Sequence, residues 1–187
     1  MVNKIKSCIF ISGRGSNLNS LIKSSREYNF PIKINLIISN NIKARGLDLA
    51  KKYSIPYLYI SSKNQREFER KCLFEIKKRE IKFLCLAGFM KVLSKNFIKS
   101  FRNKIINIHP SLLPKYKGLN THKRVLNRKE KYSGCTVHYV TSKLDSGKII
   151  LQKKILIDKN ETEKSLKRKI LKQEHKLYPR SIIELFR

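Results

Sequence analysis

The segment Asn107-Ile108-His109-Pro110-Ser111-Leu112-Leu113-Pro114 places an amide and an imidazole two residues apart. In extended backbone, positions i and i+2 point to one side, so Asn107 and His109 can donate hydrogen bonds to the same developing oxyanion. Pro110 and Pro114 stiffen the chain that follows. A single histidine is more often a satisfied structural group. The Asn–His alternation at the end of an apolar run, ahead of a rigid loop, favours chemistry here. A carboxylate would complete the set, because it raises the pKa of a neighbouring imidazole and orients it. Asp145, in Leu144-Asp145-Ser146-Gly147, is one of only 13 acidic residues, although its plain reading is a turn residue. His122, His138 and His175 have weaker cases. His138 lies in an alternating run and reads as structural.

A second cluster is Ser12-Gly13-Arg14-Gly15-Ser16-Asn17, two glycines between an apolar run and an amphipathic one. Backbone amides at such a turn, at the positive end of a helix dipole, suit a phosphate. The loop is not a dinucleotide fingerprint, whose third glycine would fall at Leu18, nor a Walker A loop, since no G-K-[ST] follows. A tight turn with Ser16 or Asn17 as helix cap would use the same amides, so capping and anion binding are compatible. The chain has no G-x-S-x-G nucleophile elbow. Direct attack by a substrate amine on a bound acyl donor therefore fits better than a covalent intermediate.

Short apolar runs alternating with amphipathic ones would position these residues. Strands are expected at residues 6–12, 34–39, 56–60, 83–87 and 104–108, with a late pair at 134–140 and 149–157. Helices are expected at 16–28, 44–53, 65–79 and 95–101, and from 162 onward, the last with Leu166, Ile170 and Leu171 on one face. Continuous apolar strands alternating with helices imply an α/β fold: a Rossmann-like, open, mostly parallel twisted sheet with helices on both faces. Ligands in such folds bind beyond the carboxyl ends of the strands. Gly13, Gly88 and His109 each follow a strand at that edge.

The 187 residues suit a single domain, 1–187. A 41% hydrophobic content is enough for a substantial core. No apolar run is long enough to cross a bilayer, and residues 1–6 lead into a strand rather than a signal peptide, so a cytoplasmic protein is expected. Cys8, Cys72, Cys85 and Cys135 are widely spaced, which favours buried thiols over disulfides or zinc. Forty-three Lys and Arg against 13 acidic residues give a net charge of +30. A nucleic-acid binder is one reading of that charge. Compositional drift is the favoured one, because lysines lie along nearly the whole chain and Ile and Asn are also abundant, as A+T-rich codons dictate. Either way the field attracts anions.

Together and in order, ISGRGSN (11–17), LAGFMKVL (86–93), NIHPSLLP (107–114), LDSG (144–147) and QEH (173–175) before Tyr178-Pro179 resemble the phosphoribosylglycinamide formyltransferases, folate-dependent enzymes of purine synthesis. The resemblance runs over about residues 5–179. It implies transfer of the formyl group of 10-formyltetrahydrofolate, a co-substrate, to the amine of glycinamide ribonucleotide, without a metal. Gly15, Ser16, Asn17 and Glu174 would bind the ribonucleotide. Arg66 and the stretch Met90, Lys91, Val92 and Leu93 would bind the folate, together with Asn107. Asn107 and His109 would stabilise the tetrahedral intermediate, and Asp145 would hold His109 in its working protonation state. Arg14 occupies a variable site, and Lys91 stands where the family often has Arg. The expected partners are these small molecules, with no specific nucleic acid and no membrane, for a monomer or weak homodimer.

Methionyl-tRNA formyltransferase shares the Asn–His–Asp chemistry and would suit the charge, but it needs a second, tRNA-gripping domain. Formyltetrahydrofolate hydrolase carries an extra N-terminal regulatory domain. A basic nucleic-acid-binding module is opposed by scattered aromatics that form no stacking platform.

Overall fold

The computed structural model describes residues 4–187; Met1 to Asn3, part of the stretch read as lacking a signal peptide, lie outside the described residues. Seven strands form one sheet: β1 (Ile5–Ile11), β2 (Ile32–Ser39), β3 (Tyr57–Tyr59), β4 (Phe83–Leu86), β5 (Lys104–His109), β6 (Tyr132–Tyr139) and β7 (Ile149–Leu156). The helices are α1 (Ser16–Ser25), α2 (Gly46–Lys52), α3 (Gln65–Lys78), α4 (Lys95–Phe101), α5 (Thr121–Asn127) and α6 (Glu163–Leu185). The strand order is β3-β2-β1-β4-β5-β6-β7. The first five strands run parallel, and β6 and β7 join antiparallel.

The apolar runs of the parallel strands follow from burial on both faces. Along β1, Ile9 and Ile11 enter one core with α1, α2, α5 and α6, while Cys8 and Phe10 enter the other with α3 and α4. All four side chains are fully buried. Free Cys8, Cys72, Cys85 and Cys135 are buried too. Desolvation pushes the Cys135 thiol up to about 12, and burial raises the other three as well, so these are packing groups with little thiolate character.

Helix α1 stops at Ser25 rather than running to Tyr28. The Arg26 amide turns back onto Lys23 and Ser24 carbonyls, and the chain must then bring buried Phe30 home before Pro31 accepts the Ile5 amide. The unexpected α5 has only Thr121 and Val125 buried, too few for a visible periodicity. In α6 the interior Pro179 has no amide for the His175 carbonyl. The Ser20 hydroxyl of α1 donates to that carbonyl instead, at 2.5 Å.

The strand order reverses between β1 and β4, the point where such sheets open a crevice for ligands. Here the Ser12 amide donates to the Gly88 carbonyl at 3.1 Å, and the Met90 amide donates to Ser12 Oγ at 2.8 Å. Among the described residues, no helix is long and apolar enough to cross a membrane.

Candidate active site

The end of β5 sets two polar side chains into the sheet edge. Antiparallel pairing places Asn107 opposite His138 and His109 opposite Thr136. Asn107 Nδ2 lies 3.2 Å from His138 Nε2. His138 Nδ1 lies 2.9 Å from the Tyr139 carbonyl, which can only accept, so this nitrogen carries a proton. Burial pushes the His138 imidazole below its usual value. The neutral ring then accepts one Asn107 N–H at Nε2, and the second N–H of Asn107 is left to face the cleft described below. His138 therefore belongs to the cluster and is not a bystander. Its alternating strand position gave no sign of that, because the cross-strand register decides it.

Asp145 reaches the cluster from the loop before β7. Its Oδ2 is 3.3 Å from His109 Nδ1, and its Oδ1 is 3.6 Å from His138 Nε2. The side chains of His109, His138 and Asp145 are only 7%, 3% and 9% exposed. Asp145 adopts a left-handed backbone, φ 44°, and the Gly118 amide donates to its Oδ2 at 2.8 Å. On the other side of the imidazole, His109 Nε2 is 2.8 Å from the Tyr116 carbonyl. His109 thus has an acceptor at each ring nitrogen, an arrangement that only the doubly protonated imidazolium satisfies at both ends. The Tyr116 carbonyl holds the proton on Nε2, and Nδ1 lies beside Asp145.

Beyond β1, Gly15 takes φ 77° and caps α1. A Cβ there would lie 2.7 Å from the Gly46 Cα, so both conformation and close approach require glycine. Ser16 opens α1 half-buried, and Arg14 is exposed. Asn17 is buried and donates through Nδ2 to Glu174 Oε2 at 2.6 Å. The side-chain amide is therefore engaged within the fold, while the backbone amide stays in the first turn of α1. Burial raises the Glu174 carboxyl above its ordinary range, with the Asn17 hydrogen bond opposing.

Between the β4 and β6 ends lies a cleft of about 80 Å³, lined by Phe89, Val92, Leu93 and Val140 with Asn107, His138 and Asp145 at its polar end. Lys91 also lines it, whereas the Met90 side chain is exposed. Ligand pockets usually span about 300–1,000 Å³, so this cleft must widen to admit a folate ring; its rim at Thr141, Lys143 and Leu144 is exposed. Arg66 stands exposed on the first turn of α3, next to Gln65, whose Nε2 donates to the Val92 carbonyl at 3.0 Å. Gln65 thus ties the start of α3 to the 90–93 stretch. Among the described residues, no group of three or more His, Cys, Asp or Glu side chains is placed to hold a metal ion.

The family profile described as Formyl transferase matches residues 5–182. The chain belongs to the formyl transferase family. It is 37% identical over 177 residues to phosphoribosylglycinamide formyltransferase of Haemophilus influenzae, covering 93% of this chain and 84% of that protein. It is 39% identical over 182 residues to the human trifunctional purine biosynthetic protein adenosine-3, covering 96% of this chain but only 18% of the relative. The chain thus spans less than a fifth of the trifunctional relatives it matches. The crystal structure of phosphoribosylglycinamide formyltransferase from Campylobacter jejuni superposes with a TM-score of 0.93 at 33% identity, over the whole of both chains. The sheet order and helices are therefore those of a formyl transferase fold.

Proposed function

We propose that this formyl transferase, a single domain over 1–187, moves the formyl group of 10-formyltetrahydrofolate onto the amine of glycinamide ribonucleotide. The observation that carries the reading is the grouping of Asn107, His109 and Asp145 around His138, with Asn107 and Asp145 lining a partly apolar cleft at the carboxyl edge of the sheet. Relatives named for this reaction support it. The folate supplies an activated formyl carbon; Phe89, Val92 and Leu93 offer a flat apolar wall for its ring, and the 90–93 backbone offers polar contacts. The Gly15 and Ser16 amides at the α1 terminus receive the ribonucleotide phosphate, with Glu174 nearby through Asn17.

The neutral glycinamide nitrogen uses its lone pair to form the new C–N bond, and the carbonyl π pair moves to the formyl oxygen. An N–H of Asn107 donates to that oxyanion, the positive charge of the His109 imidazolium stabilises it across space, and the Asp145 carboxylate stabilises the imidazolium. A water carries the amine proton toward the departing folate nitrogen as the old C–N bond breaks. In this reading the enzyme is cytoplasmic, a monomer or weak homodimer, and has only these small-molecule partners. A coupled assay with glycinamide ribonucleotide and 10-formyltetrahydrofolate tests it. Turnover is expected with this acceptor and not with methionyl-tRNA; comparable kcat/KM on charged initiator tRNA would overturn the proposal.

A further inference from the structure

The turn at residues 116–118 grips two members of the constellation at once. The Tyr116 carbonyl accepts from His109 Nε2 at 2.8 Å, and two residues on, the Gly118 amide donates to Asp145 Oδ2 at 2.8 Å. Tyr116 adopts φ 57°, a left-handed conformation that is unfavourable for a bulky L-residue and persists only where surrounding contacts over-determine it. Those contacts are present. The Tyr116 hydroxyl donates to Glu130 Oε1 at 2.7 Å. The Arg124 guanidinium of α5 stands over the Tyr116 ring, 5.5 Å from its centre, and donates to the Lys117 carbonyl at 2.6 Å. Ser111 Oγ lies 2.8 Å from the Lys115 carbonyl and 3.3 Å from that of Tyr116. Lys115 Nζ pairs with the same Glu130 oxygen at 3.2 Å.

We propose that Tyr116 is a positioning residue: its phenol, anchored on Glu130, holds the 116–118 turn in the one conformation that keeps a proton on His109 Nε2 and Asp145 against His109 Nδ1. The inference rests on the proposed formyl transfer for its catalytic consequence, but its structural half does not. A carbonyl can only accept, so it dictates which nitrogen bears the permanent proton. It also aims Nδ1 toward Asp145. Without the phenol–Glu130 bond, Tyr116 relaxes from the left-handed region, its carbonyl rotates away, and the Gly118 amide leaves Asp145. The imidazole is then free to change tautomer and to turn.

The test compares Tyr116→Phe, Glu130→Ala and Glu130→Gln in the full chain. Tyr116→Phe keeps the ring under Arg124 and removes only the hydroxyl. We expect kcat to fall about 10- to 100-fold, the scale of a displaced reacting group, with KM for either substrate changing less than about 3-fold, because neither Tyr116 nor Glu130 lines the cleft. Glu130→Ala should match it, the double variant should be no worse than either single one, and Glu130→Gln, which retains an acceptor oxygen, should recover most of the loss. Nitrogen-15 NMR of the histidine rings supplies the readout that a merely structural role would not move. His109 Nε2 should be protonated in the wild type and in Glu130→Gln, and of mixed tautomer in Tyr116→Phe and Glu130→Ala. A lowered Tm with unchanged kcat and unchanged His109 nitrogen shifts in Tyr116→Phe would overturn the proposal. Should the wild type fail to formylate glycinamide ribonucleotide, the functional reading falls, while the nitrogen shifts still decide whether Tyr116 holds the histidine.

Discussion

An imidazole bounded by a carbonyl at one nitrogen and a carboxylate at the other is a committed reagent. His109 meets the Tyr116 carbonyl at 2.8 Å and Asp145 at 3.3 Å, so both ring nitrogens are held inside the fold before substrate arrives. Preorganised donors of this kind need no reorganisation as negative charge develops. Replacing Asp145 with Asn keeps the volume and removes the charge that balances the imidazolium. kcat should fall about 10²-fold or more, with KM for both substrates nearly unchanged, since the loss is felt in the transition state. Steady-state kinetics decide it; a kcat within a factor of about two of wild type would make Asp145 a turn residue only. The two catalytic candidates on β5 were legible because alternation along a strand is a strict geometric rule. The parts played by His138 and Tyr116 were not: one depends on cross-strand register, the other on a backbone carbonyl, which carries no side-chain signature at all.

At the level of elements, α1 and α6 are joined by polar bonds as well as by apolar packing. Asn17 donates to Glu174, and Ser20 donates to the carbonyl that Pro179 leaves free. Burial raises the Glu174 pKa, so the folded chain binds this proton more tightly than the unfolded chain does. Its contribution to stability is full at acid pH, below the unfolded value of about 4.3, and is lost as pH rises through the raised folded value. Glu174→Gln resembles the protonated carboxyl and keeps an oxygen for Asn17. The Tm of the variant minus that of the wild type should therefore become more positive from about pH 5 to about pH 8. Calorimetry across that range would show a flat difference if the carboxyl were not held protonated by burial. The central strands β1, β2 and β4 were readable from the sequence because both their faces are largely buried and their side chains mostly apolar, whereas the short edge strand β3 is exposed. Helix α5 escaped notice for the opposite reason. Its cap is a left-handed Asn120 with no side-chain cap bond, and it buries only two residues.

Across the whole molecule, the +30 charge is spread over every helix. Lys23, Lys51, Lys77, Lys99, Arg124 and Lys164 each sit on a different one. Such a surface repels itself, and salt screens that repulsion over about 10 Å at 0.1 M. The Tm should rise between about 50 mM and 500 mM salt, while any RNA or DNA binding weakens steeply and shows no sequence preference. A sequence-specific footprint that persists at the higher salt would contradict this. The excess lysine has one further effect, at the margins of the sheet. β3 ends one side and is only three residues long, whereas β7 ends the other with eight residues and a largely apolar sequence, IILQKKIL. A long apolar edge is a template on which another chain can add itself and begin a fibre. Exposed Lys153 and Lys154 interrupt that template at its centre. Replacing both with Val should turn a dispersed protein into one that self-associates through β7, visible as growing light scatter at concentrations where the wild type stays clear. Lysines at the centre of β7 would then keep the open side of the sheet from recruiting a further strand.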